Sequence, residues 1–103
     1  MKIPFIKVRQ SITLPEGDSV AVYDIQTAPA SIERSERLRN VFRLAPDGTP
    51  LWRISLFAAA DIRAYQEVYR SADGRLLAYN ADSWEYEVDL ETGTVLRPHA
   101  FLK

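Results

Sequence analysis

The fold class of this chain is decided by one stretch of its sequence, Trp84-Glu85-Tyr86-Glu87-Val88-Asp89-Leu90-Glu91-Thr92-Gly93-Thr94-Val95-Leu96. Its first eight residues alternate between large apolar and acidic side chains. Because successive side chains of a β-strand point to opposite faces, this alternation predicts a strand with one buried and one solvated face. Gly93 suits the positive φ angle of a tight turn, and Val95 and Leu96 return as a second strand. The stretch therefore predicts a β-hairpin.

Three earlier turns repeat this pattern. Gly17, Gly48 and Gly74 each follow an acidic residue, and short apolar-polar alternations flank each of these turns. The flanking segments predicted as strands are 3–13, 20–25, 37–44, 51–57, 65–70 and 75–79. The sequence thus predicts an all-β, mainly antiparallel fold, in which a meander of hairpins forms a two-sheet sandwich or a partly open barrel.

The segment 58–70 is compatible with two structures. Ala58, Ile62, Tyr65 and Tyr69 recur at helical spacing, and the three consecutive alanines favour helix. Residues 65–70, however, run directly into the turn at Gly74 as the first arm of a hairpin would. We expect a loop or one short helix over 58–63, followed by a strand.

Composition limits the classes of function. With 103 residues and no break in composition, we expect a single domain over 1–103. Cysteine is absent, which excludes disulfides, thiolate metal sites and a thiol nucleophile. The formal net charge of -1 gives no field that would concentrate nucleic acid or an anionic membrane, so we expect neither as a partner. The charged first seven residues are unlike a signal peptide, so we expect a cytoplasmic protein.

Two parts of the chain have similar sequence patterns. Residues 40–52 and 86–96 each place an acidic residue and a glycine in a turn, and positions 40, 42 and 44 fall on 84, 86 and 88. These segments resemble blade repeats of the quinoprotein (PQQ-type) β-propellers, whose turn is followed by a Leu-Trp pair. The first copy has this pair as Leu51-Trp52, whereas the second copy departs from it and has Leu96-Arg97 at the corresponding position.

The resemblance implies that each half of the chain forms a blade-like, four-stranded sheet. It also implies that the chain has too few blades to close the ring of a propeller. A propeller needs at least about four blades, and this chain has material for two. The two sheets would therefore face each other, unless identical subunits complete a ring. The quinone cofactor is not implied, because its ligands in the family lie in a central channel that a two-sheet domain lacks, and we expect no cofactor.

The acidic side chains of the 84–91 strand are the first candidate binding site. They are predicted to project from one strand face at intervals of about 7 Å, and they are Glu85, Glu87, Asp89 and Glu91. Such a row would attract a basic protein. The alternative is an ordinary solvated face balanced by the arginines at 37, 39 and 43. The row lacks the glycine-turned loop of a Ca²⁺ site, so no metal is expected.

The two tryptophans are the second candidate. Trp52 and Trp84 lie in phase with aliphatic neighbours, which predicts core positions, although exposed tryptophans would form a recognition face. His99 has only Pro98, Ala100 and Phe101 near it, so we expect a surface histidine rather than a catalytic one.

These observations leave three alternatives for function. The first is a non-enzymatic protein-binding domain, for example an immunity-type or accessory protein that neutralises a basic toxin by charge complementarity. The second is a small-molecule-binding or enzymatic β-barrel with a site around Asp61, Arg63 and Tyr65, to which His99 could contribute. The third is a homo-oligomer whose assembly is its function.

Overall fold

The chain forms eight strands in two antiparallel sheets. A computed structural model describes residues 1–57 and 63–102. The strands are β1 Val8–Thr13, β2 Ser19–Tyr23, β3 Val41–Leu44, β4 Pro50–Arg53, β5 Tyr65–Arg70, β6 Leu76–Asn80, β7 Trp84–Val88 and β8 Val95–Phe101. A 3-10 turn, Ile25–Thr27, and a four-residue helix α1, Arg34–Arg37, lie between β2 and β3.

Each sheet is a meander in which consecutive strands are neighbours. The first sheet has the order β1-β2-β3-β4 and the second the order β5-β6-β7-β8, and every pairing is antiparallel. This confirms the predicted all-β fold of two facing sheets. The two similar segments of the sequence, 40–52 and 86–96, correspond to the third and fourth strands of each sheet. The relation to quinoprotein propellers stays a prediction.

The main core lies between the two sheets. The first sheet and the residue that follows it contribute Val20, Val22, Val41, Trp52 and Ile54, and the second contributes Tyr65, Val68, Leu76, Ala78, Tyr86, Val88 and Val95. Apart from Tyr65 and Val68, which a bulge separates, these side chains come from alternate positions of their strands, because one face of each sheet must be apolar to bury it against the other. The strand alternation predicted for Tyr86 and Val88 is therefore confirmed.

A second, smaller cluster covers the outer face of the first sheet. Phe5 of the N-terminal segment packs against Tyr23 and Phe42, with ring centroids 5.9 and 6.3 Å from its own. The guanidinium of Arg53 lies 5.2 Å from the centre of the Phe42 ring and is paired with Glu36 at 2.8 Å. The first sheet is thus covered on both faces.

This double burial corrects the prediction for residues 37–44. The sequence suggested one strand with a solvated face formed by Arg37, Arg39, Val41 and Arg43. In the structure residues 34–37 are helical, the strand begins at Val41, and Val41 is buried between the sheets. Arg43 points to the same side and pairs with Asp18 at 2.9 Å. The alternation failed as a guide because Phe42 is buried on the opposite face as well.

Side-chain amides join the two sheets along one margin. Asn40 donates to the carbonyl of Tyr65 at 2.8 Å and accepts from its N–H at 2.9 Å. In the same way, the Gln10 side chain donates to the carbonyl of Val68 at 2.9 Å and accepts from its N–H at 2.8 Å. Two amide groups thus occupy backbone positions that another strand would otherwise pair with at the edge of β5.

The opposite margin is closed by Trp52 and Ser55. The indole N–H of Trp52 donates to the carbonyl of Leu90 at 2.7 Å. The backbone N–H of Ser55 donates to the carbonyl of Gly93, and its hydroxyl accepts from the N–H of Val95. In the described part of the chain, the margins of the two sheets are therefore joined by individual hydrogen bonds, while the core fills the space between their faces.

The predicted short helix at 58–63 lies almost wholly outside the described residues. Arg63, its last residue, is described and is not helical. The strand predicted for 65–70 is confirmed as β5.

Candidate functional site

The outer face of the second sheet carries two of the predicted binding residues, Glu85 and Glu87. It faces away from the first sheet, and its side chains are exposed or partly exposed except for those of Leu77 and Glu85. By register it presents Glu67 and Tyr69 of β5, Leu77 and Tyr79 of β6, Glu85 and Glu87 of β7, and Arg97 and Ala100 of β8. We call this set the outer face of the second sheet.

Glu85 is buried on this face, contrary to the prediction of a solvated carboxylate. Only 3% of the residue is exposed. Its neighbours across the strands are Tyr79 and Ala100. The Oε2 atom is buried and has no hydrogen-bond partner among the described residues. A buried carboxylate oxygen without a partner is costly, so it marks a place where the isolated fold leaves a polar group unsatisfied.

Glu87, by contrast, is neutralised by arginines. The guanidinium of Arg97 contacts its Oε1 directly, and Arg75 lies 4.0 Å from the same atom. Arg75 also approaches the Nδ1 atom of His99 at 3.5 Å. His99 is exposed, as predicted.

Asp89 and Glu91 lie beyond the end of β7, so the predicted row of four carboxylates is wrong. Strand β7 ends at Val88, because the Oδ1 atom of Asp89 accepts from the N–H of Glu91 at 2.8 Å and bends the chain into its turn. Glu91 is exposed at this turn. The strand face itself holds only Glu85 and Glu87.

The two tryptophans have different environments. Trp52 is 5% exposed and belongs to the core, as predicted. Trp84 is 39% exposed, so its predicted core position is wrong. It pairs across the strands with Phe101, their ring centroids 5.2 Å apart, at an end of the second sheet that lies outside the core cluster.

The predicted small-molecule site falls at a crevice at one end of the sandwich. Arg63 lines a cleft of about 480 Å³, and Tyr65 lines an adjoining cleft of about 220 Å³. The two share Ile25, Ala64 and Ala81. Asp61 lies outside the described residues.

Tyr65 belongs mainly to the core. Its ring packs edge-on against Tyr86 with centroids 6.2 Å apart, and its hydroxyl is buried near Asn80 without a hydrogen bond of good geometry. Burial, and to a smaller extent the neighbouring Tyr86, raises the pKa of Tyr65 well above the usual value for tyrosine.

Sequence reasoning missed the buried asparagines that shape this crevice. Asn40 and Asn80 are fully buried. The Asn80 side chain accepts from the N–H of Arg63 at 3.1 Å and donates to the carbonyl of the same residue at 2.6 Å. Buried asparagine is uncommon, yet a single sequence does not reveal which positions are buried.

A family model for a domain of unknown function, DUF7957, matches residues 8–100. The chain belongs to this family. The match begins at the first residue of β1 and ends inside β8, so the DUF7957 unit includes both sheets. No curated protein and no solved structure matches this DUF7957 domain.

Within residues 1–57 and 63–102, no three His, Cys, Asp or Glu side chains are grouped so that they would hold a metal ion. None of the helices in that part of the chain is long and apolar enough to cross a membrane.

Proposed function

We propose that this domain binds a basic protein through the outer face of the second sheet. The observation that carries the proposal is a pair of carboxylates on either side of Tyr79, the exposed Glu67 and the buried Glu85, neither of which has an ion pair among the described residues. A lysine or arginine from a partner protein would pair with the exposed carboxylate of Glu67, and the buried charge of Glu85 would add to the attraction. Charge-assisted hydrogen bonds of this kind are stronger than neutral ones, particularly where water is excluded.

The charges of the face favour a basic partner. Both arginines on or beside the face, Arg75 and Arg97, are engaged by Glu87. Glu67 and Glu85 have no ion pair with any described residue, and they flank Tyr79 on the two neighbouring strands. The half of the face around Tyr79 is therefore negative, and a positive surface would be complementary to it.

Tyrosines provide the contact area that such an interface needs. Tyr69 and Tyr79 are partly exposed on adjacent strands of the same face. Tyrosine is enriched at interface hot spots because its ring buries a large area at a low cost in conformational entropy, while its hydroxyl still forms hydrogen bonds.

An immunity-type or accessory role fits this chemistry. A protein that neutralises a basic toxin needs a preformed, negatively charged face and no chemistry of its own. The partner would then be the basic protein itself, and its binding would weaken as the salt concentration rises.

The test is affinity capture from the native host with matched variants. Glu67→Lys reverses an exposed charge of the face, and Glu85→Gln removes the buried one with little change of shape. Glu16→Lys makes the same charge change in an exposed turn of the first sheet and is the control. Circular dichroism and thermal unfolding of each variant establish that it is folded.

We expect wild type and Glu16→Lys to retain the same basic protein, which photo-crosslinks to a probe placed at Tyr69. Glu67→Lys and Glu85→Gln should each lower its affinity about tenfold or more. Capture of a partner that is retained equally by all variants, or of no protein by the wild type, would refute the proposal.

A further inference from the structure

A second surface of the molecule, the crevice at the end of the sandwich, has the chemistry of an anion site. Its larger cleft, about 480 Å³, is lined by Ile25, Arg34, Leu38, Arg63, Ala64 and Ala81. No acidic side chain lines this cleft in the described part of the chain. Its volume falls within the range of small-molecule sites in proteins.

The two arginines that line this cleft differ from the other arginines of the chain in their side-chain contacts. Arginine occurs at ten positions. Eight of the side chains form a hydrogen bond or ion pair within the described residues, at positions 9, 37, 39, 43, 53, 70, 75 and 97. Arg34 and Arg63 have no such partner there, and both line the same cleft.

The backbone that carries these two arginines is well positioned. Both the N–H and the carbonyl of Arg63 are hydrogen-bonded by the fully buried Asn80 side chain. Arg34 begins α1, and its carbonyl accepts from the N–H of Leu38, which also lines the cleft. The two guanidinium groups are therefore carried by backbone positions that hydrogen bonds hold in place at the cleft.

We propose that this cleft binds a small organic anion, a carboxylate or a phosphate ester with an apolar body. Guanidinium groups present planar forks of donors that match both kinds of anion. The remaining lining, Ile25, Leu38, Ala64 and Ala81, is apolar and would contact the body of the ligand. Inorganic anions would leave that surface unused.

The test is a titration of ¹⁵N-labelled protein with phenyl phosphate and with benzoate, followed by nuclear magnetic resonance. We expect saturable shifts of the backbone amide signals of Ala64 and Ala81 with at least one of the two probes. Which probe binds more tightly distinguishes a phosphate from a carboxylate ligand. Arg34→Ala and Arg63→Ala should each weaken binding about tenfold.

Arg70→Ala is the matched control, because Arg70 is exposed but donates to the carbonyl of Gly74 in its own hairpin. Its affinity for the probes should equal that of the wild type. The proposal is refuted if neither probe shifts these amides at 10 mM (about the weakest affinity of interest), or if inorganic phosphate or neutral phenol binds as tightly. Affinity unchanged in the folded Arg34→Ala, Arg63→Ala double variant would also refute it.

Discussion

Replacing Gly93 by alanine should destabilise the fold far more than the same change at Gly48. Both glycines have positive φ angles, 78° and 90°, so each substitution carries a backbone cost of about 1 kcal/mol. A Cβ at Gly48 would meet no atom within 4 Å. A Cβ at Gly93 would lie 2.5 and 2.7 Å from two ring carbons of Trp52 and 3.1 Å from the carbonyl oxygen of Arg53.

Trp52 cannot yield easily. Its ring is buried in the core, and its indole N–H is held by the carbonyl of Leu90 at 2.7 Å. Overpacking of this kind costs about 1–3 kcal/mol in addition to the backbone term. We therefore expect Gly93→Ala to lower the free energy of unfolding by about 2–4 kcal/mol and Gly48→Ala by about 1 kcal/mol.

The assay is equilibrium unfolding in urea, followed by tryptophan fluorescence and circular dichroism. A domain of this size has a total stability of roughly 5–15 kcal/mol, so both variants should remain folded in water. In a Trp52→Leu background the clash with the indole ring is removed and only the contact with the Arg53 carbonyl remains, so Gly93→Ala should then cost about 1 kcal/mol. The reasoning is refuted if Gly93→Ala and Gly48→Ala lose the same stability.

Three further predictions concern buried polar groups. Asn40→Ala leaves the N–H and carbonyl of Tyr65 without partners, and it should lower the free energy of unfolding by about 3 kcal/mol. Gln10→Ala breaks the corresponding pair of hydrogen bonds to Val68, but the Gln10 side of that pair is only half-buried and water can replace it, so the change should cost only about 1 kcal/mol; equal losses in thermal unfolding would contradict this difference. Because burial raises the pKa of Tyr65 above its value of about 10 in the unfolded chain, its contribution to stability is full below pH 10 and is lost at higher pH. Tyr65→Phe should therefore lose less stability than wild type between about pH 9 and 11.5, and parallel pH profiles would contradict it.

The sheet architecture was accessible from the sequence because its signals are local. Glycines 17, 48, 74 and 93 have the positive φ angles that the turn pattern predicted, and a strand lies on each side of every turn. The same local reasoning placed Tyr86 and Val88 in the core. In each case the residues that decide the structure are close together in the chain.

The parts that failed depend on residues distant in the chain. Glu85 follows the alternation of a solvated position, but it is buried among neighbours from β6 and β8. Val41 resembles an outward position, but the first sheet is covered on both faces. Asn40 bonds to Tyr65, which is 25 residues away. No pattern within one strand contains that information.

The candidate site was recovered in part. Glu85, Glu87, Trp52 and Trp84 were identified as candidates from a single strand alternation and from residue type. What the sequence did not reveal is that Arg97 and Arg75 neutralise Glu87 while Glu85 is left without a cation. That difference arises from strand register, and two bulges between β7 and β8 set the register.

The consecutive strand order has a consequence for how the molecule acquires its structure. Every ladder joins strands that follow each other in the chain, and the longest connection within a sheet is residues 24–40. Short loop closures carry a small entropic cost, so each meander forms from contacts of low sequence separation. We expect folding to be fast for an all-β protein, with the docking of one meander on the other as its slower step. The amide side chains of Asn40 and Gln10 would then form their hydrogen bonds to β5 only when the two sheets dock in the correct alignment.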